Sequence, residues 1–269
     1  MAGRPDFSQR SYEKELLDRD DIPFADIERN MQELDIINTW LGGHAISIRG
    51  LKDLAEGIGP RETGSRGMGS RETELASAAS PVFAASPVSM TVRRISICEI
   101  GCGGGDNLRV LSRWCRKHGF EVEVTGIDHN EHCIKVARER WKEGNASWIH
   151  SDYRDVIFPG KKPDILFSSL FCHHFTDEQL VEMLQWMQEH TGSGWFINDL
   201  QRHPLAWFSI RLLTKWFSRS YLVKNDAPLS VLRGFSRSEW EKLLQAAGIT
   251  DYSLQWKWAF RWLVEVRNN

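Results

Sequence analysis

The chain is poor in the features that define several large protein classes. Its 269 residues hold five cysteines, Cys98, Cys102, Cys115, Cys133 and Cys172, an odd number with no CxxC pair. That count argues against a disulfide frame or a cysteine-based zinc site and fits buried thiols in a reducing compartment. No uncharged apolar run approaches the roughly 20 residues of a membrane-spanning helix. The opening MAGRPDFSQRSYEKELLDRDD contains no apolar stretch of signal-peptide type, so a cytoplasmic protein is expected. Neither sign of charge is in excess: 34 Lys+Arg face 36 Asp+Glu, a formal net charge of -2, which supplies no bulk attraction for a nucleic acid. Apolar residues are plentiful, at 41% with 12 tryptophans, and the chain is long enough to bury one α/β core with appendages.

Composition divides the chain into three parts. Residues 1–56 read as an N-terminal helical cap, because Ile27, Met31, Leu34, Ile37 and Leu41 recur at helical spacing after a break near Pro23. Residues 57–92 are rich in Gly, Ser, Ala and Pro and read as a flexible linker. In residues 93–269, short apolar runs at 95–100, 121–128, 146–152, 163–169 and 194–200 alternate with helical patterns at 105–118, 131–142 and 177–190. This alternation predicts a parallel sheet with helices on both faces. Residues 203–235 interrupt it as an inserted lid, before a helix at 236–249 and two tail strands within 251–266 that a short connection would pair antiparallel.

The strongest local signal is Glu99-Ile-Gly101-Cys102-Gly103-Gly-Gly105, which closes an apolar strand and opens a helix. Glycines there allow a tight turn and a close approach of backbone to a ligand. A dinucleotide fingerprint would need glycine where Asp106 stands, and an acid facing a pyrophosphate weakens that reading. The acidic-x-G-x-G-x-G pattern resembles motif I of the class I S-adenosylmethionine (SAM) methyltransferases. Further positions match in order: Asp128 at the end of the second strand, Asp152 in His-Ser-Asp-Tyr after the third, and Asp164-Ile-Leu-Phe-Ser-Ser-Leu-Phe-Cys-His-His-Phe for the fourth-strand motif. The similarity covers about residues 93–200 and is greatest to the branch that includes ubiquinone and menaquinone biosynthesis enzymes. It implies a Rossmann-like seven-stranded sheet and SAM as the cofactor. Asp128 then grips the ribose hydroxyls, Asp152 meets the adenine, and Glu99, Gly101, Cys102, Gly103, Gly105, His129, Tyr153, Ser168 and Ser169 complete the donor site. Taken singly, Asp128 reads as a helix cap and Asp152 as a solvated turn residue.

Methyl transfer from a sulfonium asks the protein mainly for orientation and a dry pocket. An acceptor hydroxyl with a pKa near about 10 would be helped by a base, and histidine is the usual choice. His173 and His174 beyond the fourth strand are candidates, as is His203 oriented by Asp199, with packing or pocket lining as the alternative role. Magnesium would need Asn198, Asp199 and Asp164 to converge, and Asp164 starts its strand, so no metal and no sensitivity to EDTA are expected. The fourth strand lacks the Asn/Asp-Pro-Pro-aromatic signature of nucleic-acid amine methylation, and Cys172 lacks the context of a nucleophile. The segment PLAWFSIRLLTKWFSRSYLV is apolar with Arg211, Lys215 and Arg219 every fourth residue. It suits a packed helix, a lid over an apolar substrate, or peripheral membrane contact through 204–219. Trp40, Gly42, Gly43 and His44 are placed at a helix end facing the same pocket. The reading is O- or C-methylation of a small hydrophobic or phenolic acceptor, quinone-, polyketide- or lipid-like. The alternatives are a SAM-binding protein without turnover and a methyltransferase with a macromolecular acceptor; an NAD-dependent oxidoreductase ranks third.

Overall fold

The computed structural model describes residues 5–19, 21–56, 58 and 93–268. The linker expected at 57–92 lies, apart from residue 58, outside them. Among the described residues seven strands form one sheet: β1 (Arg93–Ile100), β2 (Phe120–Asp128), β3 (Ser147–His150), β4 (Ile165–Ser169), β5 (Gly194–Leu200), β6 (Ser253–Lys257) and β7 (Arg261–Arg267), in the order β3-β2-β1-β4-β5-β7-β6. The first five run parallel, and β7 is antiparallel to both β5 and β6, as the short tail connection requires. This is the Rossmann-like methyltransferase sheet that the sequence resemblance implied.

Residue parity decides what covers each face. Cys98, Ile100, Leu166, Trp195, Ile197 and Val264 meet Leu180, Met183 and Met187 of α5 (Asp177–His190) and Trp240 and Leu244 of α8 (Arg237–Ala246). The alternate residues Ile95, Ile97, Ile165, Phe167, Phe196 and Leu263 meet α2 (Gly43–Ala55), α3 (Asp106–Lys117) and Ile134 of α4 (Glu131–Arg140). Both faces are therefore buried, and the central strands read as nearly continuous apolar runs.

The N-terminal helices depart from a separate cap. α2 shares the sheet core through Ile46, Leu51 and Leu54. A Cβ on Gly50 would lie 2.7 Å from the Phe196 ring. α1 (Phe24–Trp40) packs on other helices, α2 and α4 among them, and a charged network fixes it there. Asp35 accepts from Arg109 at 2.6 Å, from Arg140 at 2.9 Å and from His44 Nε2 at 3.1 Å. Burial opposes charge on His44, but Asp35, Asp106 and Asn107 outweigh it and raise its pKa. The same network, against its own desolvation, pulls Asp35 well below the usual carboxylate range.

The insertion after β5 forms α6 (Pro204–Phe217) and α7 (Tyr221–Arg233), packed on each other, and α7 ties down the start of the chain. Asp226 accepts from the amides of Leu16 and Leu17 at 2.8 and 3.0 Å, so it caps the 3-10 turn Leu16–Asp18. Arg10 reaches across to Asp177 at 2.6 Å and to the Phe175 carbonyl at 2.9 Å.

Asp35→Asn should lower unfolding free energy by about 2 kcal/mol, since it leaves three buried or half-buried cationic groups short of a partner. The part carried by His44 is complete below the imidazole's ordinary 6.5 and fades as pH climbs through its raised value. Urea titrations should accordingly find the gap between wild type and variant wider in mildly acidic than in alkaline buffer.

Candidate functional site

β1 delivers Glu99 and the glycine turn to the carboxyl edge of the sheet, where open parallel sheets bind ligands. Gly101 and Gly103 hold φ of 69° and 49°, which lets the amides of Gly101 and Cys102 both donate to the Ile127 carbonyl, at 2.9 and 3.0 Å. The Gly103 amide donates to Asp128 Oδ2 at 2.9 Å, locking the loop to the end of β2. Gly105, at φ of 72°, serves packing as well: a Cβ there would lie 2.7 Å from the Trp148 ring.

A cavity of about 850 Å³ opens over this edge, lined by Glu99, Gly101, Cys102, Gly103, Asp128, His129, Asp152, Tyr153 and Ser169 among others. Of the residues expected at a donor site, Gly105 and Ser168 are not in its wall, and Ser168 is buried beside the Cys172 thiol. Glu99 is 1% exposed and its Oε2 has no hydrogen-bond partner among the described residues. Burial and the Asp106 carboxylate push its pKa well up, so the site presents a carboxyl group in want of a donor or a cation. Burial also raises Asp128, against the amides of Asn130 and Gly103. Asp152 caps the turn Tyr153–Asp155 and holds Arg154 at 2.7 Å, so it combines the bland role with a place in the wall.

On the β4–β5 side, the 3-10 turn Cys172–His174 is organised by Asp199, which is fully buried. Its carboxylate accepts from the amides of Phe171, His173 and Leu200 and from His173 Nδ1 at 2.8 Å. His173 is 3% exposed; burial disfavours its charge, but Asp199 and Glu15 outweigh that and push its pKa up to about 9. His174 is half-buried beside it, with Nδ1 3.2 Å from Asp18 and Nε2 3.7 Å from Glu15.

The His203–Asp199 pairing expected from sequence does not form, because Asp199 is spent on the turn. His203 caps α6, accepting from the Leu205 amide at 3.2 Å, and stacks on Phe260, outside the cavity wall. The candidate metal set also stays apart. Asp164 binds the Ser96 amide and hydroxyl and Lys161 at the start of β4, and the Asn198 amide holds the Gly43 carbonyl and Ser47 of α2. Trp40, Gly42, Gly43 and His44 do not line the cavity; Leu34, Ile37 and Leu41 of the same segment do.

Three wall residues escaped sequence reasoning. Glu15 and Asp18 sit in an acidic stretch with nothing to set them apart from solvated acids. Arg261 carried a signal, a lone charge within an apolar aromatic run. It is 3% exposed; its Nη2 donates to Asn38 at 2.8 Å, while Nη1 has no partner among the described residues. Desolvation lowers its pKa to about 10. The roof comes from α1, α6 and α7, through Met31, Ile210, Leu213, Val223 and Val231. All five cysteines are buried and free, and burial raises the Cys172 thiol far above the range of a nucleophile.

Residues 97–194 match the family model of a methyltransferase domain. That match spans just over a third of the chain and agrees with the enzymatic class that the sequence resemblance implies. No curated protein matches. The plantazolicin methyltransferase BpumL in complex with SAH superposes with a TM-score of 0.51 at 20% identity, over 65% of this chain and 76% of that one. Its complex with a monoazolic desmethyl plantazolicin analogue and SAH gives 0.46 at 23%, over 60% of this chain and 59% of that one. The magnesium protoporphyrin IX methyltransferase of Synechocystis PCC 6803 with bound SAM gives 0.42 at 14%, over 65% and 70%. The first of these shares the fold.

Gly101→Ala should lower stability by about 1–3 kcal/mol, because the new Cβ is held at positive φ and runs into the Phe171 ring. A thermal melt of the purified variant, shifted down by several degrees, checks this.

Proposed function

We propose that the protein is a SAM-dependent methyltransferase whose acceptor is a small, largely hydrophobic molecule with an ionisable oxygen or carbon acid. The observation that carries this reading is one cavity with two chemically distinct walls under an apolar roof. Its volume, about 850 Å³, lies in the upper part of the usual range of about 300–1,000 Å³ for ligand sites, room for a donor and a second small molecule together. The glycine turn, the partnerless Glu99 oxygen and Asp128 suit the donor: backbone can approach it closely, a buried carboxyl meets its ammonium, and a second carboxylate at the strand end meets ribose hydroxyls. When bound, SAM supplies an electrophilic methyl group and loses its positive charge on transfer.

The chain's own contribution is placement and dehydration. Met31 and the apolar faces of α6 and α7 exclude water. Glu15, His173 and His174 face the same space and receive the ionisable group of the acceptor, while Asp199 positions His173 from behind. The spare Nη1 of Arg261 in that wall suits an anionic or carbonyl oxygen on the acceptor. Quinone precursors and phenolic polyketides have the required mix of apolar body and polar oxygen.

Calorimetry should find SAM and SAH binding and no NAD binding, with Asp128→Ala weakening SAM at least tenfold. His174→Ala should cut turnover about 10- to 100-fold with SAM affinity kept, whereas His203→Ala should stay within about threefold of wild type. Binding of NAD without SAM, or equal loss of turnover in the two histidine variants, contradicts the reading.

One specific observation favours contact with a lipid surface. Leu205, Phe208, Leu212, Trp216 and Phe217 are all more than half exposed on α6, interleaved with Arg211 and Lys215. Apolar residues flanked by basic ones suit the headgroup boundary of an anionic bilayer, and an apolar acceptor could be drawn from it. Among the described residues no helix is long and apolar enough to cross a membrane, so the contact is peripheral. The protein should co-sediment with vesicles containing phosphatidylserine, and a Phe208→Glu/Trp216→Glu double variant should lose most of that binding.

A further inference from the structure

The polar wall holds an arrangement that the methyl-transfer reading does not use in full. Glu15, His173 and His174 bring one carboxylate oxygen and two imidazole nitrogens within 4.8 Å of one another. Glu15 is 5% exposed and His173 3%, and both line the cavity with His174. His173 Nε2 stands 3.5 Å from Glu15 Oε1, and His174 Nε2 stands 3.7 Å from Glu15 Oε2. These gaps exceed the 2.7–3.2 Å or so of an N–H···O hydrogen bond. Each runs to a different oxygen of the same carboxylate, at a spacing near the 3.3–3.4 Å or so between neighbouring ligand atoms on metal bonds of about 2.0–2.1 Å.

The outward-facing nitrogens are also arranged as a ligand set requires. His173 Nδ1 is bonded to Asp199 at 2.8 Å, and His174 Nδ1 lies 3.2 Å from Asp18. A carboxylate on each Nδ1 keeps hydrogen on that atom, so a metal that displaces the Nε2 proton would find both Nε2 atoms on the side of Glu15. The carboxylates are themselves held. The Ser230 hydroxyl donates to Glu15 at 2.6 Å, the Glu15 amide donates to Asp18 at 3.3 Å, and Asp199 is fixed by three backbone amides. Three carboxylates surround two imidazoles; Arg233, whose Nε donates to the His173 carbonyl at 3.0 Å, and Arg10 offset part of that charge, and with both rings neutral a divalent cation offsets the rest.

We infer that Glu15, His173 and His174 form a binding site for a first-row divalent metal ion, with Asp199 and Asp18 as the carboxylates that orient the two histidines. Two imidazoles and one carboxylate favour zinc, cobalt or iron over magnesium, and they leave a coordination position open. That position faces the cavity, where an oxygen of a small molecule can complete the coordination. The metal site stands on its own geometry, and its service to an acceptor oxygen rests on the methyl-transfer reading. The sequence expectation of a metal-free site considered Asp164, Asn198 and Asp199; this set draws on a different segment of chain, more than 150 residues before the histidines.

The test uses the full chain, stripped of metal and without SAM or acceptor. Zn²⁺ titrated by calorimetry should bind at about one equivalent, with release of protons. Co²⁺ should give the visible absorption of a four- or five-coordinate nitrogen and oxygen site, without the strong near-ultraviolet band of a thiolate ligand. Glu15→Gln and His174→Ala should each weaken zinc at least tenfold, Asp18→Asn about 10- to 100-fold through the orientation of His174, and His203→Ala not at all. An octahedral cobalt spectrum, a thiolate band, or zinc affinity unchanged in Glu15→Gln and His174→Ala overturns the site. The cobalt spectrum of the wild type decides the matter even if a variant fails to fold. SAM titrated into the same preparations separates the two readings: zinc binding without SAM binding upholds the site and removes methyl transfer, and SAM binding without zinc binding overturns the site alone.

Discussion

The buried carboxylate of Asp199 is the constraint on which the polar half of the molecule depends. It sits at the end of a strand covered on both faces, where an uncompensated charge would be prohibitive, and it survives there because three backbone amides and one imidazole converge on it. Desolvation alone would raise its pKa; the charge on His173 reverses the direction. The same bonds force the chain after β4 into a 3-10 turn that throws two consecutive histidines into the cavity. Leu170 just before them holds φ of 54°, a conformation unusual for a branched apolar residue, next to its backbone bond to the Asn198 carbonyl.

A second layer of interactions brings distant segments to that turn. The first nineteen residues have little hydrophobic content of their own, and polar bonds hold those that the structure describes. Arg10 binds the carbonyls of Phe175 and Arg233, Ser11 binds Leu232, and Asp226 caps the turn that carries Glu15 and Asp18. Charged groups that a composition count would assign to the solvated surface are here the fasteners of the roof. Arg202 is another, buried and bonded to Glu239 and to the carbonyls of Phe7 and Gly234.

Most of the sheet was legible in the sequence because it depends on local signals. Apolar runs such as Ile95–Ile100 and Gly194–Leu200 have one reading as buried parallel strands, and Gly101 and Gly103 mark a turn that only glycine adopts easily. The glycine-turn side of the cavity was legible for the same reason, since Glu99 and Asp128 stand at the ends of strands that the apolar runs mark. The other side was not, because its partners are fixed by tertiary topology. His173 could be named as a candidate, but its carboxylates come from the strap near residue 15 and from β5. Proximity in sequence pairs His203 with Asp199, but the turn after β4 takes up the carboxylate and the imidazole caps α6. His44 was placed at the pocket by its position at a helix end, while its attraction to Asp35 and Asp106 turned it toward α3. Arg261, flanked on both sides by apolar and aromatic residues, carries a signal legible in the sequence.

The anchoring of the strap by α7 also governs how the cavity can open. Asp226 and Ser230 of that helix hold the turn bearing Glu15, so a displacement of α7 wide enough to admit a bulky molecule carries the carboxylate away from the histidines as well. Separation of α7 from the strap and integrity of the polar cluster are thus mechanically one event.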